Sequence, residues 1–248
     1  MSMIARQMAW FAGPHGLTAR TALWLQAVGA ATALAALWFD ARNLGSGAAA
    51  IMLYLAVATC VVTRISQTHP FPEFGAANGV TLVRAGLVSL VASTLFAPSP
   101  MGNAALLVCA IAAAALMLDG IDGWLARRSG LASTFGARFD LEIDALFVLV
   151  LSAAAFMHGK AGVWVLLIGL MRYAFFFAGF LTPRLEAPLP PSMRRKAICV
   201  IQIAALAVLF LPQIEPPLSQ WIAGGALAAL TYSFAVDIRW LLRAGRPA

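Results

Sequence analysis

From Leu118 to Leu146 the chain reads LDGIDGWLARRSGLASTFGARFDLEIDAL, joining the end of one apolar run, 103–124, to the start of the next, 140–158. Five of the ten acidic residues of the 248-residue chain fall inside it: Asp119, Asp122, Asp140, Glu142 and Asp144. An ionisable side chain in a membrane helix costs about 2.5–3.5 kcal/mol on insertion scales, so like charges gathered at the ends of apolar runs need a compensating cation or a function. A metal ion is the natural compensation.

Runs of the same kind recur on both sides. Uncharged stretches of about 17–25 residues are long enough to cross a hydrocarbon core about 30 Å thick. Eight candidates occur, near 20–39, 46–64, 79–97, 103–124, 140–158, 161–181, 195–212 and 218–241. With 62% hydrophobic residues, 11% charged and a mean hydropathy of +0.86, the chain lies far from the roughly 25% charge of a soluble domain. The runs lack the alternation of barrel strands. The expected fold is therefore all-α, a polytopic membrane helical bundle of about eight transmembrane helices.

The net charge of +7 does not point to nucleic acid, because the basic residues follow the membrane. Arg6, Arg20, Arg64, Arg127, Arg128, Arg138, Arg184, Arg194, Arg195, Lys196, Arg239, Arg243 and Arg246 fall on one side of the runs, and only Arg42 and Lys160 on the other. The positive-inside rule then places both termini and the loops after even-numbered spans in the cytoplasm. A basic inner face also suits anionic lipid head groups. The expected location is a bacterial inner membrane, with the reactive end of the bundle at its cytoplasmic face. The first span has no small-residue cleavage site, so a retained anchor is expected. Cys60, Cys109 and Cys199 show no CxxC spacing and read as small core residues.

The stretch ISQTHPFPEFGAAN at 65–78 carries prolines and glycine or asparagine breakers. It divides the chain into an N-terminal two-helix hairpin, 1–64, a juxtamembrane linker, 65–78, and a six-helix core, 79–242. The hairpin has almost no polar content in its spans and reads as an accessory.

At about 100° per residue, Asp119, Asp122, Gly123 and Ala126 share one face of the fourth span's cytoplasmic end. Gly136, Asp140 and Asp144 recur every four residues and line one face of the fifth, whereas Glu142 points away. The connection 127–135 is short enough for the two faces to meet antiparallel. Four carboxylates without Cys or His among them suit hard ions, Mg²⁺ or Mn²⁺, and a two-metal site. Such ions bind phosphate oxygens and favour in-line attack at phosphorus. Gly123, Ala126 and Gly136 suit a close approach of a nucleotide to backbone, and Arg127 can neutralise a phosphate or hold a nucleotide by planar hydrogen bonding.

These residues match, at every spacing, the D-x-x-D-G-x-x-A-R-x8-G-x-x-x-D-x-x-x-D signature that the CDP-alcohol phosphotransferase family carries. Helix capping explains one Asp–Gly pair, not eight fixed positions. The resemblance extends over Asn78–Trp240, and Asn78, Thr81 and Arg84 resemble the N-x-x-T-x-x-R opening of the family's first core helix. It implies that Asp119, Asp122, Asp140 and Asp144 hold two metal ions, that Asp144 also deprotonates the acceptor, and that Gly123, Ala126, Arg127 and Gly136 bind the CDP part. Asn78, Thr81 and Arg84 are placed with the nucleotide. The implied reaction moves a phosphatidyl group from CDP-diacylglycerol to an alcohol and releases CMP. The resemblance also implies a homodimer among membrane lipids.

The signature does not choose the acceptor. Arg172, in the middle of a span, resembles the family arginine that contacts the acceptor. In glycerophosphate-using members an acid commonly follows that arginine; here Tyr173 follows. Arg194, Arg195 and Lys196 resemble the basic stretch before a later helix, and Arg138 faces the same side. Together they favour glycerol 3-phosphate or another phosphorylated polar alcohol. Two other classes also use acids within membrane helices. An intramembrane prenyltransferase carries its acid motifs on helices far apart in sequence, whereas these occupy consecutive helices. A cation or phosphate transporter would want acids deep in the membrane and broken helices.

Overall fold

A computed structural model describes residues 18–39, 44–68, 71, 73–96, 103–129, 133–182, 185, 189–190 and 192–244. Eight α-helices occupy these residues: α1 Ala19–Phe39, α2 Leu44–Thr68, α3 Ala76–Ser93, α4 Asn103–Ser129, α5 Thr134–Met157, α6 Leu166–Leu181, α7 Met193–Val208 and α8 Leu218–Ala244. Short 3₁₀ turns, Thr94–Phe96 and Val163–Val165, extend α3 and precede α6. Not one of the thirteen prolines falls within these helices. Proline lacks an N–H and clashes with the preceding turn, so the punctuation of the bundle is written in its prolines. Pro212 follows the seventh run's helix, and α7 accordingly stops at Val208 instead of the 212 expected from hydropathy.

The fold is the expected all-α membrane bundle. Gly47–Ile65, Ala76–Phe96 and Leu218–Arg243 are long and apolar enough to cross a membrane by themselves, and Ala105–Ile121 and Val163–Gly179 are shorter apolar helices. Large apolar side chains stand exposed on the helices, Phe176 at 76% and Trp221 at 78% among them, as lipid-facing residues do. Helix covers both ends of the expected 65–78 linker: α2 runs to Thr68 and α3 begins at Ala76. The acid-bearing α5 likewise begins at Thr134, ahead of the apolar run. The Ser133 hydroxyl accepts the Gly136 N–H at 3.0 Å and so caps its first turn.

The chain divides into two compact units, Met1–Ser93 with Met117–Ile143, and Thr94–Leu116 with Asp144–Ala248. In the first, α1, α2 and α3 pack on one another. Phe74, Phe135 and Phe139 form an aromatic run with ring centroids 6.5 and 5.7 Å apart. The Tyr54 hydroxyl donates to the Leu25 carbonyl at 2.7 Å, tying α2 to α1.

In the second unit α7 packs on α8, and Gln202 donates to the Ala226 carbonyl at 2.8 Å between them. Lys160 pairs with Glu215 at 2.5 Å and donates to the Ile214 carbonyl at 3.0 Å, which fastens the loop before α6 to the loop before α8. Cys109 donates to the Ala207 carbonyl. Cys60, expected in the core, instead lies exposed on α2, the helix having turned that face outward.

Gly169 of α6 sits against α5, where an added Cβ would lie 2.6 Å from the Leu149 Cα and 2.6 Å from the Ser152 hydroxyl. Backbone cannot yield as a side-chain tip can. Gly169→Ala is expected to destabilise the protein by about 1–3 kcal/mol, read by thermal unfolding in detergent, whereas Gly224→Ala, with nothing within 4 Å of the new Cβ, does not lower the transition and raises it by up to about 1 kcal/mol through helix propensity.

Candidate metal and nucleotide site

Helix α3 brings the first residues of the site. Asn78, Thr81 and Arg84 are all buried on it. The Asn78 amide donates to the Phe74 carbonyl at 2.5 Å, and the Thr81 hydroxyl to the Ala77 carbonyl at 3.2 Å. Asn78 therefore sits in the first turn of α3 with its amide turned back onto the preceding chain. Its Oδ1 faces Gly136 on α5, where a Cβ would come within 2.6 Å of it. This contact gives a physical reason for glycine at 136, since a side chain there would displace Asn78.

Arg84, two turns further along, is 2% exposed, and its Nη1 meets Asp119 of α4 at 3.2 Å and forms a hydrogen-bonded ion pair with Asp140 of α5. A guanidinium at this depth requires anionic partners. The two acids are open where the arginine is not, with 34% and 35% of their side-chain surface accessible. Their carboxylate oxygens come within 4.8 Å of each other, and Asp144, one turn beyond Asp140 on the same helix, offers an oxygen within 4.8 Å of that of Asp140. Arg84, placed with the nucleotide from the sequence, is thus engaged by the acids.

Gly123 lies one turn past Asp119 on α4. Of Asp122, Ala126 and Arg127 the helical backbone is described, and their side chains lie outside the described residues. Arg138 is exposed on α5, Arg172 is half-buried on α6, and Lys196 is exposed at the start of α7.

Arg194 and Arg195 converge on an acid that sequence reasoning did not single out. Asp237 of α8 is 7% exposed, and its Oδ1 accepts from Arg194 at 2.5 Å and from Arg195 at 3.1 Å. Arg194 also donates to the Ser233 hydroxyl at 2.7 Å and to the Ser233 carbonyl, and Arg195 to the carbonyl of Pro190. One carboxylate against two guanidiniums leaves the group cationic, so it retains attraction for an anion. The only sequence signal for Asp237 was an acid close to the tail's arginines. Cys199, read as core filling, lies 3.7 Å from Asp144 Oδ2 and points its thiol there.

Carboxylates brought together from consecutive helices offer the all-oxygen donor set that a hard divalent cation takes. The sequence profile described as CDP-alcohol phosphatidyltransferase matches residues 74–235, well over half of the chain, and the chain belongs to that family. No curated protein and no solved structure matched. It is accordingly a transferase of phosphate-containing groups in phospholipid biosynthesis, acting on CDP-alcohol substrates among membrane lipids, in a family that uses divalent metals.

Removing the shared cation exposes the repulsion between the acids. Arg84→Met is expected to cost about 3 kcal/mol of stability in metal-free buffer, with part of the loss recovered on adding Mn²⁺. Thermal unfolding with and without the metal checks this; an unchanged transition would mean that the ion pairs carry no weight.

Proposed function

We propose that the protein transfers a phosphatidyl group from CDP-diacylglycerol to an alcohol acceptor, with release of CMP, using two divalent ions held by Asp119, Asp122, Asp140 and Asp144. The observation that carries this reading is the meeting of Asp119 and Asp140 across α4 and α5 at Arg84, with the signature spacing of the family intact around them. The donor set fits Mg²⁺ or Mn²⁺: the atoms that Asp119, Asp140 and Asp144 offer are all carboxylate oxygens. When bound, the ions would supply charge neutralisation at the phosphates and at the leaving group.

The chain's own groups do the rest. Asp144 takes the proton of the acceptor hydroxyl as its oxygen bonds to the β-phosphorus and the bond to CMP breaks. The Cys199 thiol lies 3.7 Å from Asp144 Oδ2 and donates weakly to it. Gly123, Ala126, Arg127 and Gly136, with Asn78 and Thr81, hold the CDP part, while Arg84 serves it through the carboxylates it steadies.

The acceptor is assigned to Arg138, Arg172, Arg194, Arg195 and Lys196, which favour glycerol 3-phosphate or another phosphorylated alcohol. The residual positive charge around Asp237 supports an anionic acceptor. The six-helix core 79–242 performs the reaction at the cytoplasmic face of a bacterial inner membrane, as a homodimer, with the hairpin 1–64 and linker 65–78 attached. Family membership leaves the prenyltransferase and transporter readings without support.

Purified protein incubated with CDP-diacylglycerol, Mg²⁺ or Mn²⁺ and a panel of acceptors is expected to release CMP with a phosphorylated alcohol. Asp144→Asn is expected to lower the rate by about 10²–10⁴-fold without changing the unfolding transition. Release with a neutral alcohol alone would overturn the acceptor assignment; no release with either metal would overturn the reaction.

A further inference from the structure

Helix α3 has two working faces. At about 100° per residue, Asn78, Thr81 and Arg84 fall on one side of it and Gly79 and Gly86 on nearly the opposite side. The polar side meets the acids. The glycine side meets α1 of the hairpin: a Cβ on Gly79 would touch the Trp24 ring at 3.4 Å, and one on Gly86 would lie 2.7 Å from the Thr32 hydroxyl and 3.2 Å from a Val28 methyl. Glycine lets the two helix backbones approach closely, as small residues do in membrane packing. The Thr32 hydroxyl is itself committed, donating to the Val28 carbonyl at 2.8 Å, and Thr32 is 4% exposed. It cannot swing aside without giving up that bond.

We infer that the hairpin is a brace for the metal and nucleotide site, with Thr32 a positioning residue that sets where α3, and through Arg84 the carboxylates of Asp119 and Asp140, come to rest. Packed interiors are close to incompressible, so a displacement imposed on one face of a helix is delivered at the other. Nothing in the reaction requires this hairpin, and residues 1–73 lie outside the family match. Its contact with α3 gives it a function nonetheless. The inference rests on the proposed metal role only for its second readout.

The test is Gly86→Ala in the full chain, where the added methyl presses on Thr32. Hydrogen–deuterium exchange is expected to quicken in peptides from α3 and also in those carrying Asp119 and Asp140. Mn²⁺ binding, titrated by electron paramagnetic resonance, is expected to weaken about tenfold. Thr32→Ala in the same chain should restore both, and Thr32→Val, which keeps the bulk, should restore neither. Gly79→Ala, with ordinary contact distance available, and Gly29→Ala, which presses on Tyr54 of α2 at 2.8 Å, should leave Mn²⁺ binding unchanged. Faster exchange confined to α1 and α3, or a loss that Thr32→Ala does not rescue, overturns the brace. If the exchange pattern and its rescue appear but the unaltered protein binds no Mn²⁺, the brace stands and the metal reading falls.

Discussion

The ion pairs of Arg84 with Asp119 and Asp140 are the constraint on which the arrangement of α3, α4 and α5 depends. A guanidinium almost sealed from solvent has no stable alternative to these carboxylates, because taking a charge out of water costs several kcal/mol unless opposite charge meets it. The partners come from two different helices, so a single side chain fixes both against a third. The acids, however, keep about a third of their side-chain surface open. A buried cation and half-open anions together make a preorganised negative face, the kind of oxygen-rich surface that attracts a divalent cation and not, without one, a diphosphate.

Glycine supplies the complementary device. Gly136 makes room for Asn78, Gly86 for Thr32 and Gly169 for the backbone of α5. In a membrane, apolar side chains gain little from leaving lipid for protein, so close packing and hydrogen bonds carry helix association. Each glycine marks a place where one helix offers no side chain of its own to the neighbour it meets, and all three lie on helices that also carry residues assigned to the site. The brace and the site are thus parts of one packing problem. The accessory appearance of the hairpin in the sequence reflects its lack of acids and says nothing of its mechanical position.

Electrostatics also organises the start of α7. The basic triplet Arg194–Lys196 reads in sequence as free positive charge, available for topology or for an anionic acceptor. In the fold Asp237 draws on both arginines, and Ser233 and Pro190 take further N–H groups. The cluster keeps positive charge, but its geometry is held by α8, which makes it a fixed feature instead of a set of mobile side chains. Cys199 changes reading in the same way: its helix turns the thiol toward Asp144 instead of burying it among apolar neighbours.

The sequence alone determined the class of fold, the helices and the spacing of the acids, because these depend on local quantities: run length against bilayer thickness, proline as a stop, and carboxylates repeating at helical intervals. It also carried the family signature, since that is a pattern along one dimension. Only the tertiary structure decided that Arg84 belongs to the acids, that Asp237 anchors the arginines, that Cys199 meets Asp144 and that α1 presses on α3. Each of these depends on how far one helix is rotated and shifted along another, and at about 100° per residue a small change in rotation selects a different neighbour. Hydropathy says little about that rotation in a chain whose helices are apolar over most of their surface, so the pairing had to be seen in three dimensions.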